Sequence, residues 1–312
     1  MSNRAGQRAI LLLIARFATA PFPGRYDIRG DMKVTIAQKC GFCPGVRNAI
    51  RMAKEILAEQ ENVYSLGPII HNKDVVDRLA KAGLKTVSTV EEIPSGTVLI
   101  RSHGASPDQI ARIEEKGLNI VDATCVLVKS VQRIARQLDN DGYKVVIIGD
   151  SNHPEIRAVV GCAKDVVVVA DQADLHKLPK YTKLGIICQT TQTPEHFQKM
   201  LSAITASNFT ELRIINTLCR EAIKRQASAV ELCKNVNIMF VLGGLESANT
   251  CKLAELCKIY NSQTFHLQNW NELDTIWLRG NNTAGVTAGA STPEWIIDEF
   301  VKNLQDFDNT AE

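Results

Sequence analysis

Residues 144–153 read Lys-Val-Val-Ile-Ile-Gly-Asp-Ser-Asn-His, an apolar run that ends in a polar turn. A run without a polar face is typical of a strand buried on both sides in a helix-covered parallel sheet. Comparable runs recur and alternate with amphipathic stretches that predict helices. The runs lie at 33–37, 97–100, 165–169, 184–187 and 238–242, and the helical stretches at 46–59, 107–116, 127–139, 194–206, 220–234, 250–259 and 293–303. This alternation predicts an α/β fold with mostly parallel sheets.

Length and composition narrow the class of protein. A chain of 312 residues is about twice the ~150-residue prior for one domain, so we expect two or three modules. Hydrophobic residues make up 45% of the chain and charged residues 22%, which is typical of a soluble globular protein. The formal net charge of +2 excludes a general nucleic-acid binder, so any anionic ligand must be recognised locally.

The cysteines and the apolar runs predict a cytoplasmic protein. Nine cysteines are an odd number, and in a long chain they argue against a secreted disulfide framework. The longest apolar run, 9–15, has seven residues, well below the ~20 that a membrane span needs. We interpret residues 1–31 as an extension outside the fold, because a clean strand begins just after Met32. A targeting peptide is the alternative interpretation.

Three cysteines occupy strand-to-helix transitions in separate parts of the chain: Cys43, Cys125 and Cys219. Their spacing predicts one cysteine in each of three modules, and helix N-termini favour the thiolate that binds iron. The competing interpretation is a small buried apolar residue, which we prefer for Cys162, Cys188, Cys233, Cys251 and Cys257. Cys40 and Cys43 have the C-x-x-C spacing of thiol redox and zinc sites, and Cys40 stays unassigned.

The expected modules are 32–125, 126–218 and 219–303, followed by a tail at 304–312. The first segment, 33–43, is also compatible with packing on the third module. Polar turns follow the strands, and ligands bind at the carboxyl ends of strands in open parallel sheets. Three of these turns carry His71, His103 and His153. Singly, such histidines are usually structural, but three beside hydroxyl and amide groups predict a cradle for an anion.

Several short motifs together resemble the 4-hydroxy-3-methylbut-2-enyl diphosphate reductase family, an iron-sulfur enzyme family that ends the non-mevalonate isoprenoid pathway. The resemblance extends from about residue 33 to about residue 303, and the motifs keep the family's order. They are Gly41-Phe42-Cys43, His71-Asn72, Ser102-His103-Gly104, Asp122-Ala123-Thr124-Cys125, His153-Pro154-Glu155, Gln189-Thr190-Thr191, Arg225-Gln226, Ser247-Ala248-Asn249 and Thr287-Ala288-Gly289-Ala290-Ser291.

The resemblance implies three α/β modules in a pseudo-threefold arrangement around a cavity that holds a 4Fe-4S cluster. Cys43, Cys125 and Cys219 match the cluster ligands, and three thiolates leave one of four irons open to the substrate. The reaction it implies is reduction of the allylic alcohol to isopentenyl and dimethylallyl diphosphates, with electrons from a ferredoxin or flavodoxin. We find no Gly-x-Gly-x-x-Gly fingerprint for a bound nicotinamide or flavin.

The other matched residues fall into two roles. The resemblance makes Glu155 the proton donor, with His153 and Thr190 beside it, and we expect burial near an anion to raise the pKa of Glu155. An exposed carboxylate at a helix start is the alternative for Glu155. The diphosphate-binding positions include imidazolium, hydroxyl and amide groups: His71, His103, His153, Thr190, Ser247, Ala248, Asn249 and Ser291.

Three sites depart from the family pattern. Val126 stands where proline is usual, Arg220-Glu221-Ala222 follows Cys219 where an Ala-Thr pair is usual, and Ala248 stands where many members have serine. The cluster ligands and the acid are unchanged. Two other functions stay open at this point. One is an iron-sulfur dehydratase or synthase without net reduction, and the other is a non-catalytic redox sensor that uses Cys40 and Cys43.

Overall fold

A computed structural model describes residues 32–180 and 182–307. Within these residues twelve strands form three sheets of four, and every paired strand is parallel. The predicted α/β class with parallel sheets is confirmed. The predicted extension at 1–31 lies outside the described residues.

The first two sheets use consecutive segments of the chain. The first has the order β3-β2-β4-β5 and the second β7-β6-β8-β9. The first sheet contains β2 (Val63–Leu66), β3 (Lys85–Val87), β4 (Thr97–Ile100) and β5 (Asn119–Asp122), with helices α1 (Pro44–Glu59), α2 (Lys73–Lys81) and α3 (Pro107–Glu115). The second contains β6 (Lys144–Ile148), β7 (Val166–Val169), β8 (Lys183–Cys188) and β9 (Glu211–Ile214), with helices α4 (Val126–Asn140), α5 (Pro154–Val160) and α6 (Pro194–Ile204).

The third sheet combines the two ends of the described chain. Its order is β1-β12-β10-β11, and Lys33 to Ile36 pair with Thr283 to Val286. The strands are β1 (Lys33–Ile36), β10 (Ile238–Leu242), β11 (Thr264–Leu267) and β12 (Thr283–Ala288), and the helices are α7 (Arg220–Cys233), α8 (Ala248–Tyr260) and α9 (Glu294–Asp306). Segment 33–43 was expected in the first module or packed on the third. Its strand β1 lies in the sheet of the third module. Helix α9 also continues three residues into the predicted tail, because Leu304 is fully buried in the core.

The three sheets repeat one connection pattern. In the first module, for example, β2 pairs with both β3 and β4, and β4 pairs with the edge strand β5. The second and third modules repeat this order with β6 to β9 and with β10, β11, β12 and β1. The fourth strands are β5, β9 and β1, so the beginning of the chain supplies the last strand of the third module. Loops at equivalent places in the modules can therefore be compared directly.

Apolar side chains explain why these strands are central. All the residues of β4 and β10 are buried, and so are four of the five in β6. The helices cover them with amphipathic faces; in α1, for example, Val46, Ala49, Ile50, Ala53 and Ile56 are buried. Among the described helices, none is long and apolar enough to cross a membrane.

We expect Gly96→Ala to destabilise the first module strongly. Gly96 has φ +115°, and a Cβ there would lie 2.2 Å from the Asn62 carbonyl oxygen, which accepts the Thr97 N–H at the start of β4. The matched control is Gly142→Ala, since Gly142 also has positive φ, +79°, but no heavy atom within 4 Å of the added Cβ. Urea unfolding should give a loss for Gly96→Ala that exceeds the control by about 2 kcal/mol or more. Equal losses would contradict the steric explanation.

Candidate active site

Each fourth strand leads to a cysteine that begins a helix. Cys43 follows β1, Cys125 follows β5 and Cys219 follows β9, and they are the N-cap residues of α1, α4 and α7. The Val46 N–H donates to Cys43 Sγ at 3.4 Å. The three thiols thus occupy equivalent positions at the carboxyl ends of their sheets, and the expectation that they lie at strand-to-helix transitions is confirmed.

A backbone hydrogen bond fixes each cysteine turn to its neighbouring loop. The N–H of Cys43 donates to the Ala290 carbonyl (3.2 Å), that of Cys125 to Ser102 (3.0 Å) and that of Cys219 to Thr190 (2.8 Å). Every acceptor is the second residue after the third strand of the same sheet. The next residues in those loops are Ser291, His103 and Thr191.

These loops surround one cavity, which encloses about 830 Å³ of empty space including its mouth. The cavity lies at the carboxyl ends of all three sheets, where the predicted turns are. Every predicted site residue lines it: Cys43, His71, His103, Cys125, His153, Glu155, Thr190, Cys219, Ser247, Ala248, Asn249 and Ser291. A pocket of this size, lined by a few converging polar groups, is typical of a small-molecule site.

The thiols approach one another around Gly45. A Cβ at Gly45 would lie 3.0 Å from Cys125 Sγ and 3.8 Å from Cys43 Sγ, so glycine is what lets the start of α1 pass beside Cys125. All three thiols are half-buried. Within 32–180 and 182–307, no three Cys, His, Asp or Glu side chains are placed to hold a single metal ion. The donors that line the cavity are three thiols, the ligand type of iron-sulfur clusters, so the chemistry of this donor set fits a cluster.

A buried cation lies beside the thiols. Arg225 on α7 is 5% exposed, and its Nη1 donates to the Ala288 carbonyl at 2.8 Å. Its charge interacts with the sulfurs of Cys40, Cys43 and Cys219. A fixed positive charge here favours negative charge in the adjacent part of the cavity.

Three histidines form a chain of rings along the cavity wall. The ring centroids of His71 and His103 are 5.0 Å apart and those of His103 and His153 are 5.6 Å apart. Burial, and then neighbouring positive charge including Arg101, lower the pKa of all three rings, that of His153 to about 4. Near pH 7 the rings of the protein without a bound anion are therefore neutral. The imidazolium donors that the resemblance implies belong to the anion-bound protein and stay a prediction.

The neutral rings still offer hydrogen-bond donors. His153 Nδ1 accepts the Glu155 N–H at 3.3 Å, so its proton lies on Nε2. Four buried side-chain atoms have no hydrogen-bond partner among the described residues: His103 Nδ1, Asn249 Nδ2, Thr250 Oγ1 and Thr287 Oγ1. Of the four residues, only His103 and Asn249 line the cavity. Unpaired buried polar atoms are costly, so these two are free to bind a ligand.

The third module supplies further polar groups to the cavity lining. Ser247 caps α8, its Oγ accepting the Thr250 N–H at 3.4 Å, and Ala248 and Asn249 form the first turn. Ser291 Oγ donates to the His71 carbonyl at 3.1 Å and so joins the third module to the first. The N–H groups and positive dipole at the start of α8 favour an anion beside them.

Glu155 is a fully buried carboxyl at the base of the cavity, 2% exposed. The Thr190 N–H donates to Oε1 at 2.8 Å and the Thr190 hydroxyl to Oε2 at 2.6 Å. Burial raises the pKa of Glu155 more than these two hydrogen bonds lower it. The carboxyl is therefore not an exposed helix-start carboxylate, and the expected rise in its pKa is confirmed.

Cys40 does not line the cavity. Burial raises the pKa of its thiol to about 12. It is therefore a protonated thiol at neutral pH, which makes it a poor nucleophile or metal ligand. Cys162, Cys188, Cys233 and Cys257 are buried, as expected, whereas Cys251 is half-buried.

Four residues near or in the cavity had no role from sequence: Arg101, Thr191, Glu221 and Arg225. Thr191 and Glu221 line the cavity, and Glu221 faces Lys224 at 3.5 Å and Lys39 at 3.9 Å. The position of Thr191 could have predicted its place in the lining, because it is the third residue after its strand, as His103 and Ser291 are after theirs. Arg225 belongs to the Arg225-Gln226 motif, but the sequence suggested no role for it, because an arginine within a helix is usually exposed.

The chain is similar to known proteins over most of its length. Residues 34–305 match the family model for the LytB protein. Two curated relatives, each named 4-hydroxy-3-methylbut-2-enyl diphosphate reductase, come from Geobacter sulfurreducens and Pelobacter propionicus. The first is 41% identical over 279 residues, 89% of this chain and 99% of the relative. The second is 42% identical over 274 residues, 88% of this chain and 98% of the relative.

Two solved structures share the fold. One is described as (E)-4-hydroxy-3-methyl-but-2-enyl diphosphate reductase, the terminal enzyme of the non-mevalonate pathway; it is 39% identical, has a TM-score of 0.66, and the alignment covers 88% of this chain and 99% of that one. The other is E-1-hydroxy-2-methyl-but-2-enyl-4-diphosphate reductase from Plasmodium falciparum, 26% identical with a TM-score of 0.83, covering 92% and 94%.

We expect Glu155→Gln to stabilise the protein relative to wild type, and increasingly so as pH rises. The folded state keeps the Glu155 proton above the pH at which the unfolded chain releases it, so wild-type stability falls by up to about 1.4 kcal/mol per pH unit in that interval. Glutamine has no such loss. Apparent melting temperatures of wild type, Glu155→Gln and the exposed control Glu299→Gln between pH 5 and 8 should show the divergence only for Glu155→Gln. Parallel wild-type and Glu155→Gln profiles would contradict a raised pKa.

Proposed function

The chain belongs to the LytB protein family, and we propose that it reduces 4-hydroxy-3-methylbut-2-enyl diphosphate to isopentenyl and dimethylallyl diphosphates. The allylic C–O bond breaks, two electrons and two protons are consumed, and water leaves. The observation that carries this proposal is the combination in one cavity of three thiols, a buried carboxyl with a raised pKa, and unpaired donors for an anion. Electron transfer, proton transfer and diphosphate binding each need one of these groups.

Cys43, Cys125 and Cys219 are the ligands of a 4Fe-4S cluster in this proposal. When bound, the cluster supplies electrons one at a time and a Lewis-acidic iron without a protein ligand. The protein's own contribution is to hold the three sulfurs in equivalent N-cap positions and to balance their charge with Arg225.

The diphosphate end of the substrate binds between the histidines and the start of α8. The cavity lining contains all of these groups: His71, His103, His153, Ser247, Ala248, Asn249 and Ser291. His103 Nδ1 and Asn249 Nδ2 are unpaired and buried, so phosphate oxygens satisfy donors that otherwise cost free energy. A bound anion also raises the pKa values of the adjacent imidazoles and favours their protonation.

Glu155 is the proton donor. Its raised pKa keeps a proton on the carboxyl near neutral pH, where an exposed glutamate is ionised. The Thr190 N–H and hydroxyl hold the carboxyl toward the cavity, and His153 lies on the same helix start. The carboxyl can therefore protonate the leaving oxygen, and a second proton completes the reduced allyl group.

A ferredoxin or flavodoxin is the proposed electron donor, because the sequence lacks the dinucleotide-binding fingerprint that a bound nicotinamide or flavin requires. The nine cysteines are all free thiols, which supports a reducing compartment such as the cytoplasm.

Redox stoichiometry with anaerobically purified protein tests the proposed reaction. A one-electron reductant and the allylic substrate are mixed, and electrons consumed are counted against product by mass spectrometry. Two electrons per product are expected. Substrate consumption without electron uptake would contradict the reductase and favour the dehydratase.

We expect Cys43→Ser, Cys125→Ser and Cys219→Ser each to lose most of the bound iron and sulfide, because each removes one of three thiolates. Cys40→Ser is the matched control, since its protonated thiol lies outside the cavity lining. Iron and sulfide counts and the visible spectrum after anaerobic purification check this. Loss of the chromophore in Cys40→Ser with retention in Cys125→Ser would favour the redox sensor.

In turnover, Glu155→Gln should lower kcat by about 10²-fold or more, since it removes a positioned acid. Inorganic pyrophosphate affinity should change little, because the diphosphate donors are other residues. Steady-state kinetics and calorimetric titration separate these effects. A parallel fall in both would assign Glu155 to binding rather than to proton transfer.

A further inference from the structure

Arg101 lies immediately behind the histidine wall. It follows β4, directly before Ser102 and His103, and is half-buried. Its guanidinium packs on the backbone of Gly67, where an added Cβ would be 2.9 Å from Nη1. Gly67 begins the turn that ends in His71, so the Arg101 side chain lies between the turns that carry His71 and His103.

The guanidinium has no acidic partner in the part of the chain that the structure describes. No hydrogen bond or ion pair joins its side chain to another described residue, and its lowered pKa has two causes: burial, then the positive charge of Arg157. Arg157 itself is exposed and lies one helical turn after His153. Partial burial of a charge without a partner is unfavourable. An anion bound near the Arg101 guanidinium would compensate this cost.

The second module shows what a structural residue does at this place. Gln189 is the first residue after β8, as Arg101 is after β4, and it packs on Gly149 as Arg101 packs on Gly67. The Asp150 N–H donates to Gln189 Oε1, and Gln189 Nε2 donates to Thr191 Oγ1, both at 2.9 Å. The Gln189 side chain thus forms hydrogen bonds with the two loops beside it, those of Asp150 and Thr191. The Arg101 side chain forms no such bonds with the described residues.

We propose that Arg101 is a fixed positive charge that draws the multiply charged end of the substrate to the neutral histidine wall. The inference rests on the proposed function and deepens it. Arg101 does not line the cavity, so it is a positioning residue that acts through its charge behind His71 and His103. The histidines donate hydrogen bonds and Arg101 balances the charge. The site therefore selects a diphosphate over a singly charged phosphate.

Calorimetric titration of the anaerobically purified full chain with inorganic pyrophosphate and with inorganic phosphate tests this. The variants are Arg101→Gln, Arg101→Lys and the control Arg112→Gln, which removes an exposed charge from the same module, paired with Glu91 at 3.6 Å. We expect Arg101→Gln to weaken pyrophosphate binding about tenfold and phosphate binding less. Arg101→Lys should restore most of the affinity, and Arg112→Gln should match wild type.

A pH series separates charge from structure. Removing Arg101 raises the pKa values of His71, His103 and His153, which also face Glu246 and Asp150. With pyrophosphate bound, the rings of Arg101→Gln therefore take up protons more readily than those of wild type as pH falls toward 6, and these protons replace part of the lost charge. The loss relative to wild type should therefore be smaller at pH 6 than at pH 8, which a packing defect would not produce.

The outcomes are distinguishable. If wild type binds pyrophosphate and Arg101→Gln binds it as tightly as Arg112→Gln does, the role of Arg101 is overturned while the proposed function stands. The role of Arg101 is also overturned if Arg101→Gln and Arg101→Lys lose the same pyrophosphate affinity and this loss does not change with pH. If wild type does not bind pyrophosphate, the proposed diphosphate site fails, and the role of Arg101 fails with it.

Discussion

Three equivalent backbone hydrogen bonds determine the geometry of the cavity. Each joins a cysteine N–H to the carbonyl two residues after the third strand of the same sheet. Because these loops are short and start from buried strands, the bond fixes the direction of the thiol and of the next side chain together. His103, Thr191 and Ser291 are those next side chains. The sulfur-bearing turns and the polar wall therefore cannot move independently.

Charge is distributed unevenly along this frame. Arg225 lies beside the thiols, Arg101 lies behind the histidines, and burial raises the pKa of Glu155 because it disfavours the carboxylate. Two fixed cations at separate places therefore face the two places where negative charge is expected. The titratable groups between them are neutral near pH 7. Such an arrangement suits a reaction that delivers electrons and protons to an already anionic substrate.

The sequence predicts the fold class and the positions of the three thiols, whereas the charge state of the site and the place of β1 depend on the folded structure. Buried strands ending in polar turns predicted the parallel sheets, and the strand-to-helix positions of Cys43, Cys125 and Cys219 predicted their N-cap roles. The charge state of the histidines was not predictable, because it depends on burial and on the field of Arg101. Arg101 and Gln189 occupy equivalent positions with different chemistry, and only the sheet order reveals that equivalence. The place of β1 also needed the structure, since a strand's own residues do not specify its neighbour.

The pairing of β1 with β12 has a consequence for how the molecule is made. Cys43 is synthesised early, yet the carbonyl that holds its turn belongs to Ala290, near the end of the fold. During translation the first two modules can fold as they emerge. The sheet of the third module is complete only after β12 has been synthesised and has paired with β1. The turn that carries Cys43 is therefore held only after Ala290 has been synthesised, and chains that terminate earlier lack the bond that orients this thiol.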